Sequence, residues 1–159
     1  MGENILVTGG AGYIGTSLVN KLVRQGHNVT VFDNLTYGKN SLRRLNLMLE
    51  NNLSLSSAIL SKNLNSSIES PKKYNFIRGD IRDKEKVMNL ITKGDFSYVF
   101  HLAEFVGHFP CEADPSKTKE VNYGGTQNVV AGVLKAKNSP RLIYNSSSSI
   151  YHVSKDGKP

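Results

Sequence analysis

Three glycines, Gly9, Gly12 and Gly15, stand in a GxxGxxG spacing between an apolar run, Ile5, Leu6 and Val7, and a helical pattern, LVNKLV. This order reads as a strand, a tight turn and a helix start. Gly9 supplies the turn, Gly12 lets backbone approach an anion with no side chain between, and Gly15 lets the helix pack closely on the strand. Tyr13 and Ile14 fall in the first turn of that helix, whose free N–H groups and positive dipole end suit a pyrophosphate.

The second candidate group comes one crossover later, where the apolar stretch 28–32 ends on Asp33, followed by Asn34. A carboxylate at a strand end in this position accepts hydrogen bonds from the 2′- and 3′-hydroxyls of an adenosine ribose and repels a 2′-phosphate. NAD is therefore expected over NADP. No arginine follows Asp33 directly, but Lys39, Arg43 and Arg44 lie close enough to leave a 2′-phosphate partner open.

These groups need a scaffold, and the rest of the chain supplies its pattern. With 159 residues it can bury one core and form one domain. Alternating apolar stretches predict strands near 4–8, 28–32, 74–78, 97–102 and 140–146 and helices near 13–25, 83–93 and 116–137. That alternation is the pattern of an α/β doubly wound parallel sheet of the Rossmann type, with strand order 3-2-1-4-5 expected. The exception is 40–72, where a short helix is expected to give way to a flexible Ser/Asn-rich surface insertion at about 50–71.

Composition bounds the partners. The formal charge of +7 raises a nucleic-acid reading, but the basic residues are scattered, as at Arg43/Arg44 and Lys72/Lys73, without interleaved aromatics or a binding module. The expectation is no nucleic-acid partner. One cysteine, Cys111, excludes an internal disulfide and fits a reducing, cytoplasmic setting. No apolar stretch approaches a membrane span, so no membrane partner is expected, and no metal ligand set stands out.

With these residues in place, the chain resembles the extended short-chain dehydrogenase/reductase family, and within it the NAD-dependent sugar-nucleotide epimerases and dehydratases of the UDP-glucose 4-epimerase-like branch. The likeness rests on TGGAGYIG, FDNL at Phe32 to Leu35, GDIRD at Gly79 to Asp83, HLAE at His101 to Glu104, VNYGGTQN at Val121 to Asn128 and NSSSSIY at Asn145 to Tyr151. It implies NAD as cofactor, a nucleotide-sugar substrate and a possible homodimer paired through the helices near 83–93 and 116–137. It also implies that Tyr13, Ile14 and Asn34 line the cofactor site. By the same likeness Asp80 bonds the adenine amino group and Ile81 packs on its ring, while Leu102 and Ala103 border the ribose and nicotinamide. Asn122 then bridges cofactor and backbone, or serves only as a buried linker.

The resemblance assigns Ser147 as the catalytic hydroxyl, four positions before Tyr151. In the family's chemistry NAD takes hydride from a sugar hydroxyl carbon while a tyrosinate removes the hydroxyl proton. A phenol of pKa about 10 needs a lysine one helical turn away to reach that state. Here Tyr151 to Lys155 spells YxxxK but starts too close to Ser147, and Asp156 and Gly157 end any helix at once. The expectation is that these 159 residues are a cofactor-binding half, truncated before the sixth strand and the substrate lobe and inactive alone. A non-catalytic NAD-binding or regulatory module is the alternative. Glu104 also departs from the family's usual Ala or Gly and puts a carboxylate near the dinucleotide.

Overall fold

A computed structural model describes residues 2–37, 40–51, 54–60 and 73–147 of the chain. Five parallel strands form one sheet: β1 (Asn4–Thr8), β2 (Asn28–Asp33), β3 (Asn75–Arg78), β4 (Tyr98–His101) and β5 (Arg141–Tyr144), in the order β3-β2-β1-β4-β5. The order reverses at β1, so the chain leaves β1 to one side and β4 to the other. The crevice at their carboxyl ends is where open α/β sheets take ligands.

Side chains alternate across the sheet, and each face has its own core. Ile5 and Val7 of β1 point to the side where Val19 and Leu22 of helix α1 (Tyr13–Arg24) meet Leu45 and Leu49 of helix α2 (Asn40–Asn51). Leu6 points the other way, into a cluster with Val87 and Ile91 of helix α4 (Lys84–Lys93) and Val129 of helix α7 (Gly125–Lys135). Burial on both sides explains the nearly continuous apolar run in β1.

Local signals set the helix ends. The Asp83 side chain accepts Lys86 N–H at 3.0 Å and caps α4, and Gly94 closes it. Asp114 does the same for the short helix α6 (Pro115–Thr118), accepting Lys117 N–H at 2.9 Å, with Pro115 in the first turn where its missing donor costs nothing.

The short helix expected after Asn40 forms as α2, 12 residues long. Leu42, Leu45 and Leu49 are buried, and packing on α1 outweighs the weak intrinsic propensity of its asparagines. Within the tract expected as surface insertion, helix α3 (Leu55–Leu60) forms and buries Ala58; residues 61–72 lie outside the described residues. The helix expected at 116–137 is composite, with α5 (His108–Ala113) preceding α6 and a π-helical segment, Lys119–Gly124, joining α6 to α7. The YxxxK segment at 151–155 also lies outside the described residues.

Candidate functional site

The glycine loop and the end of β2 meet at the carboxyl rim. Gly9 has φ +69°, and a Cβ there would stand 2.6 Å from the Leu102 carbonyl carbon, so only glycine lets the two strand ends approach. A Cβ on Gly15 would fall 2.6 Å from Gly10 Cα, which holds α1 tight against the turn. The first turn of α1 carries no acidic residue, and Gly12, its N-cap, has no side chain to cap it. Its leading N–H groups therefore remain available to an anion.

Asp33 sits beside this loop. Its Oδ2 accepts Ala11 N–H at 3.0 Å and its Oδ1 accepts Leu35 N–H at 2.7 Å. Burial raises its pKa above the ordinary carboxylate value, and the two backbone donors pull it back. Each oxygen keeps lone-pair capacity for a further donor.

Two connected cavities follow the rim. The first is bordered by Asp33, Asn34, Ile81, Arg82, Ala103 and Lys117, and the second by Tyr13, Ile14, Gly15, Thr16, Arg44 and Asn145. Gly9, Gly12, Tyr37, Leu102 and Glu104 border both. Ten of the thirteen residues singled out in the sequence thus border one cleft: Gly9, Gly12, Tyr13, Ile14, Gly15, Asp33, Asn34, Ile81, Leu102 and Ala103.

The other three stand apart from its lining. The two Asp80 oxygens already take four hydrogen bonds, from Arg82 N–H, Nε and Nη2 and from Asn34 Nδ2, at 2.9 to 3.1 Å. The Arg82 guanidinium holds the Asp80 carboxyl well below the usual carboxylate range. Asn122, on the π-helical segment, clamps Phe105: Oδ1 accepts its N–H at 2.7 Å and Nδ2 donates to its carbonyl at 2.9 Å. Ser147 is exposed and lies three residues past the end of β5, on the same rim.

A buried polar chain supports the cleft wall and was not evident in the sequence. Thr126 Oγ1 donates to Asn122 O at 2.6 Å, so it receives the Nε2 hydrogen of His101 at 3.0 Å, and Nδ1 of that ring accepts the Thr8 hydroxyl at 2.7 Å. The ring is thereby fixed as the neutral Nε2–H tautomer, and burial brings its pKa down to about 4. Tyr144 stacks on it with ring centroids 5.6 Å apart and hydrogen-bonds Glu104, whose pKa burial raises. From the opposite side the Tyr37 hydroxyl accepts Val106 N–H at 3.1 Å, which ties the loop after β2 to the loop after β4. Among the described residues no group of three or more histidine, cysteine or acidic residues is placed to hold a metal ion, and no helix is long and apolar enough to cross a membrane.

The model of the NAD dependent epimerase/dehydratase family matches residues 5–159. CDP-paratose 2-epimerase of Salmonella typhi is 31% identical over 147 residues, covering 92% of this chain and 37% of that protein. UDP-N-acetyl-alpha-D-glucosaminuronate decarboxylase of Bacillus cytotoxicus is 30% identical over 151 residues, covering 95% and 38%. The crystal structure of UDP-glucose 4-epimerase from Brucella ovis in complex with NAD superposes with a TM-score of 0.66 at 27% identity, covering 94% of this chain and 37% of that one. The chain therefore spans under two fifths of the length of these relatives.

Proposed function

The chain belongs to the NAD-dependent epimerase/dehydratase family, and from that premise we propose that its cleft binds NAD and serves hydride transfer at a hydroxyl carbon of a nucleotide-linked sugar. Residues 1–159 act in this reading as the cofactor-binding unit. The observation that carries it is the hydrogen bond from Ala11 N–H to Asp33 Oδ2 at 3.0 Å, which puts a ribose acceptor beside the glycine turn. The diphosphate lies on the first turn of α1 by Gly12, Tyr13, Ile14 and Gly15, and the ribose hydroxyls donate to Asp33. Adenine packs on Ile81 and is bordered by Asn34. Asp80 reaches its amino group when the exposed Arg82 side chain releases one bond.

NAD supplies the hydride acceptor. Leu102 and Ala103 form the wall beside it, held in place by Asn122 through Phe105, and Ser147 on the β5 rim shares a hydrogen bond with the reacting sugar oxygen. Epimerisation, dehydration and decarboxylation all start from that oxidation, and the names of the relatives include two of the three. Pairing of two copies through α4 and α7 belongs to the same proposal, since α7 leaves Val130 and Leu134 exposed; light scattering that finds monomer alone removes it. Calorimetric titration with NAD tests the whole reading. Binding weakened by Asp33→Ala is expected, and no heat at millimolar cofactor with the folded protein overturns it.

A further inference from the structure

A charged side chain on the cleft wall is without a hydrogen-bond or ion-pair partner among the described residues. Arg44 of α2 borders the second cavity beside Tyr13, Ile14, Gly15 and Thr16, and is absent from the border of the first, where Asp33 lies. Among the described residues it makes no hydrogen bond or ion pair. Glu104 borders the same cavity, but it takes a hydrogen bond from Tyr144 and no ion pair joins it to Arg44. The helix that carries Arg44 is firmly seated. Leu42 and Leu45 on either side of it are buried, Arg24 Nη2 donates to Met48 O at 2.7 Å, and Tyr74 O–H donates to Asn46 Oδ1 at 2.7 Å. A guanidinium is always charged and offers a planar fork that suits phosphate oxygens. Here it is half-buried on the border of a cavity that is also lined by the uncapped first turn of a 12-residue helix, a turn without an acidic residue.

We propose that Arg44 binds the pyrophosphate of the dinucleotide and closes it against the first turn of α1. The inference rests on the NAD reading and adds to it a residue outside the glycine motif. It also decides between two anions the sequence left open. An arginine serving a 2′-phosphate belongs beside Asp33, in the first cavity; Arg44 lies on the diphosphate side.

The test titrates the wild-type chain, Arg44→Gln and Arg44→Lys with NAD, NADP, ADP and adenosine. Arg44→Gln is expected to weaken NAD and ADP about tenfold, leave adenosine unchanged and flatten the salt dependence of NAD binding. Arg44→Lys recovers part of the loss, because the charge returns without the fork. Equal thermal midpoints of the three proteins show that the fold is intact, and if Arg44→Gln fails to fold, the Lys variant carries the comparison. NAD and ADP affinities within about twofold of wild type overturn the inference while the NAD reading stands. A loss confined to NADP overturns it in favour of a 2′-phosphate contact. Failure of the folded wild-type chain to bind any phosphorylated probe removes both.

Discussion

Asp33, the last residue of β2, holds the N–H of Ala11 in the glycine turn at 3.0 Å, so the strand-end carboxylate and the turn proposed to hold ribose and diphosphate are fastened to each other. Pre-organisation of this kind lowers the ordering cost of binding.

The same carboxylate is expected to make NAD affinity pH-dependent. In the proposed site ribose hydroxyls donate to the ionised form, and burial raises the Asp33 pKa above its ordinary value of 3.8. On acidification the affinity therefore begins to fall at a higher pH than an ordinary aspartate dictates. Asp33→Asn removes this acid limb and weakens binding by about 1.5 to 3 kcal/mol, the range for hydrogen bonds to charged groups. Fluorescence titration of NADH from neutral to mildly acidic pH reads both effects, and an unchanged limb in the Asn variant argues against Asp33 as the titrating group.

The glycines of the turn separate folding from binding. A Cβ at Gly9 meets the backbone of Leu102 at 2.6 Å in a left-handed conformation, so Gly9→Ala is expected to cost about 3 kcal/mol or more of stability. Gly12 has extended backbone, φ −77°, and a Cβ there meets only Gly9 O at 3.1 Å. Gly12→Ala is then expected to fold within about 1 kcal/mol of wild type yet lose NAD affinity, since the methyl projects into the cleft. Thermal melts paired with titration decide the contrast, which fails if Gly12→Ala binds normally.

The fold and much of the cleft were legible because their signals are local. The continuous apolar run of β1, the glycine spacing and an aspartate at a strand end each depend on a few adjacent residues. What escaped reading depends on contacts between distant segments. Tyr37 meets Val106 across 69 positions, and the Thr8 to His101 bond spans 93. Composition also misled: the serines and asparagines after Asn51 made the tract look like a flexible insertion, yet Leu55–Leu60 forms helix α3 and buries Ala58. The π-helical segment is a third case. One wider turn at Lys119–Gly124 shifts the phase of the helix, so Val121 borders the cleft while Asn122 turns to Phe105.

His101 makes stability fall in mild acid. Its folded pKa is about 4 against an ordinary 6.5. Between those values the unfolded chain binds a proton that the folded ring refuses, so the contribution is complete above pH 6.5, declines as pH falls and levels off below about 4. Its size is about 3 kcal/mol at ~1.4 kcal/mol per unit. Denaturant midpoints across this range are expected to drop steeply for the wild type and less for His101→Gln. Parallel profiles for the two proteins contradict the assignment.

Asn122 is expected to act on the cleft through the backbone it clamps. Its amide answers both the N–H and the carbonyl of Phe105, at 2.7 and 2.9 Å, in a loop that also receives the Cys111 thiol at 3.4 Å on the same carbonyl. Asn122→Ala removes two half-buried hydrogen bonds and is expected to destabilise by about 1 to 3 kcal/mol. Asn122→Asp keeps the acceptor for the N–H but sets a carboxylate oxygen against the Phe105 carbonyl, so it separates the two halves of the clamp. Amide exchange at Phe105 reads the difference: protection lost in the Ala variant and retained in part in the Asp variant. If the segment only braces the wall, NAD affinity declines in step with that protection. If affinity collapses in Asn122→Asp while Phe105 stays protected, the amide touches the cofactor itself.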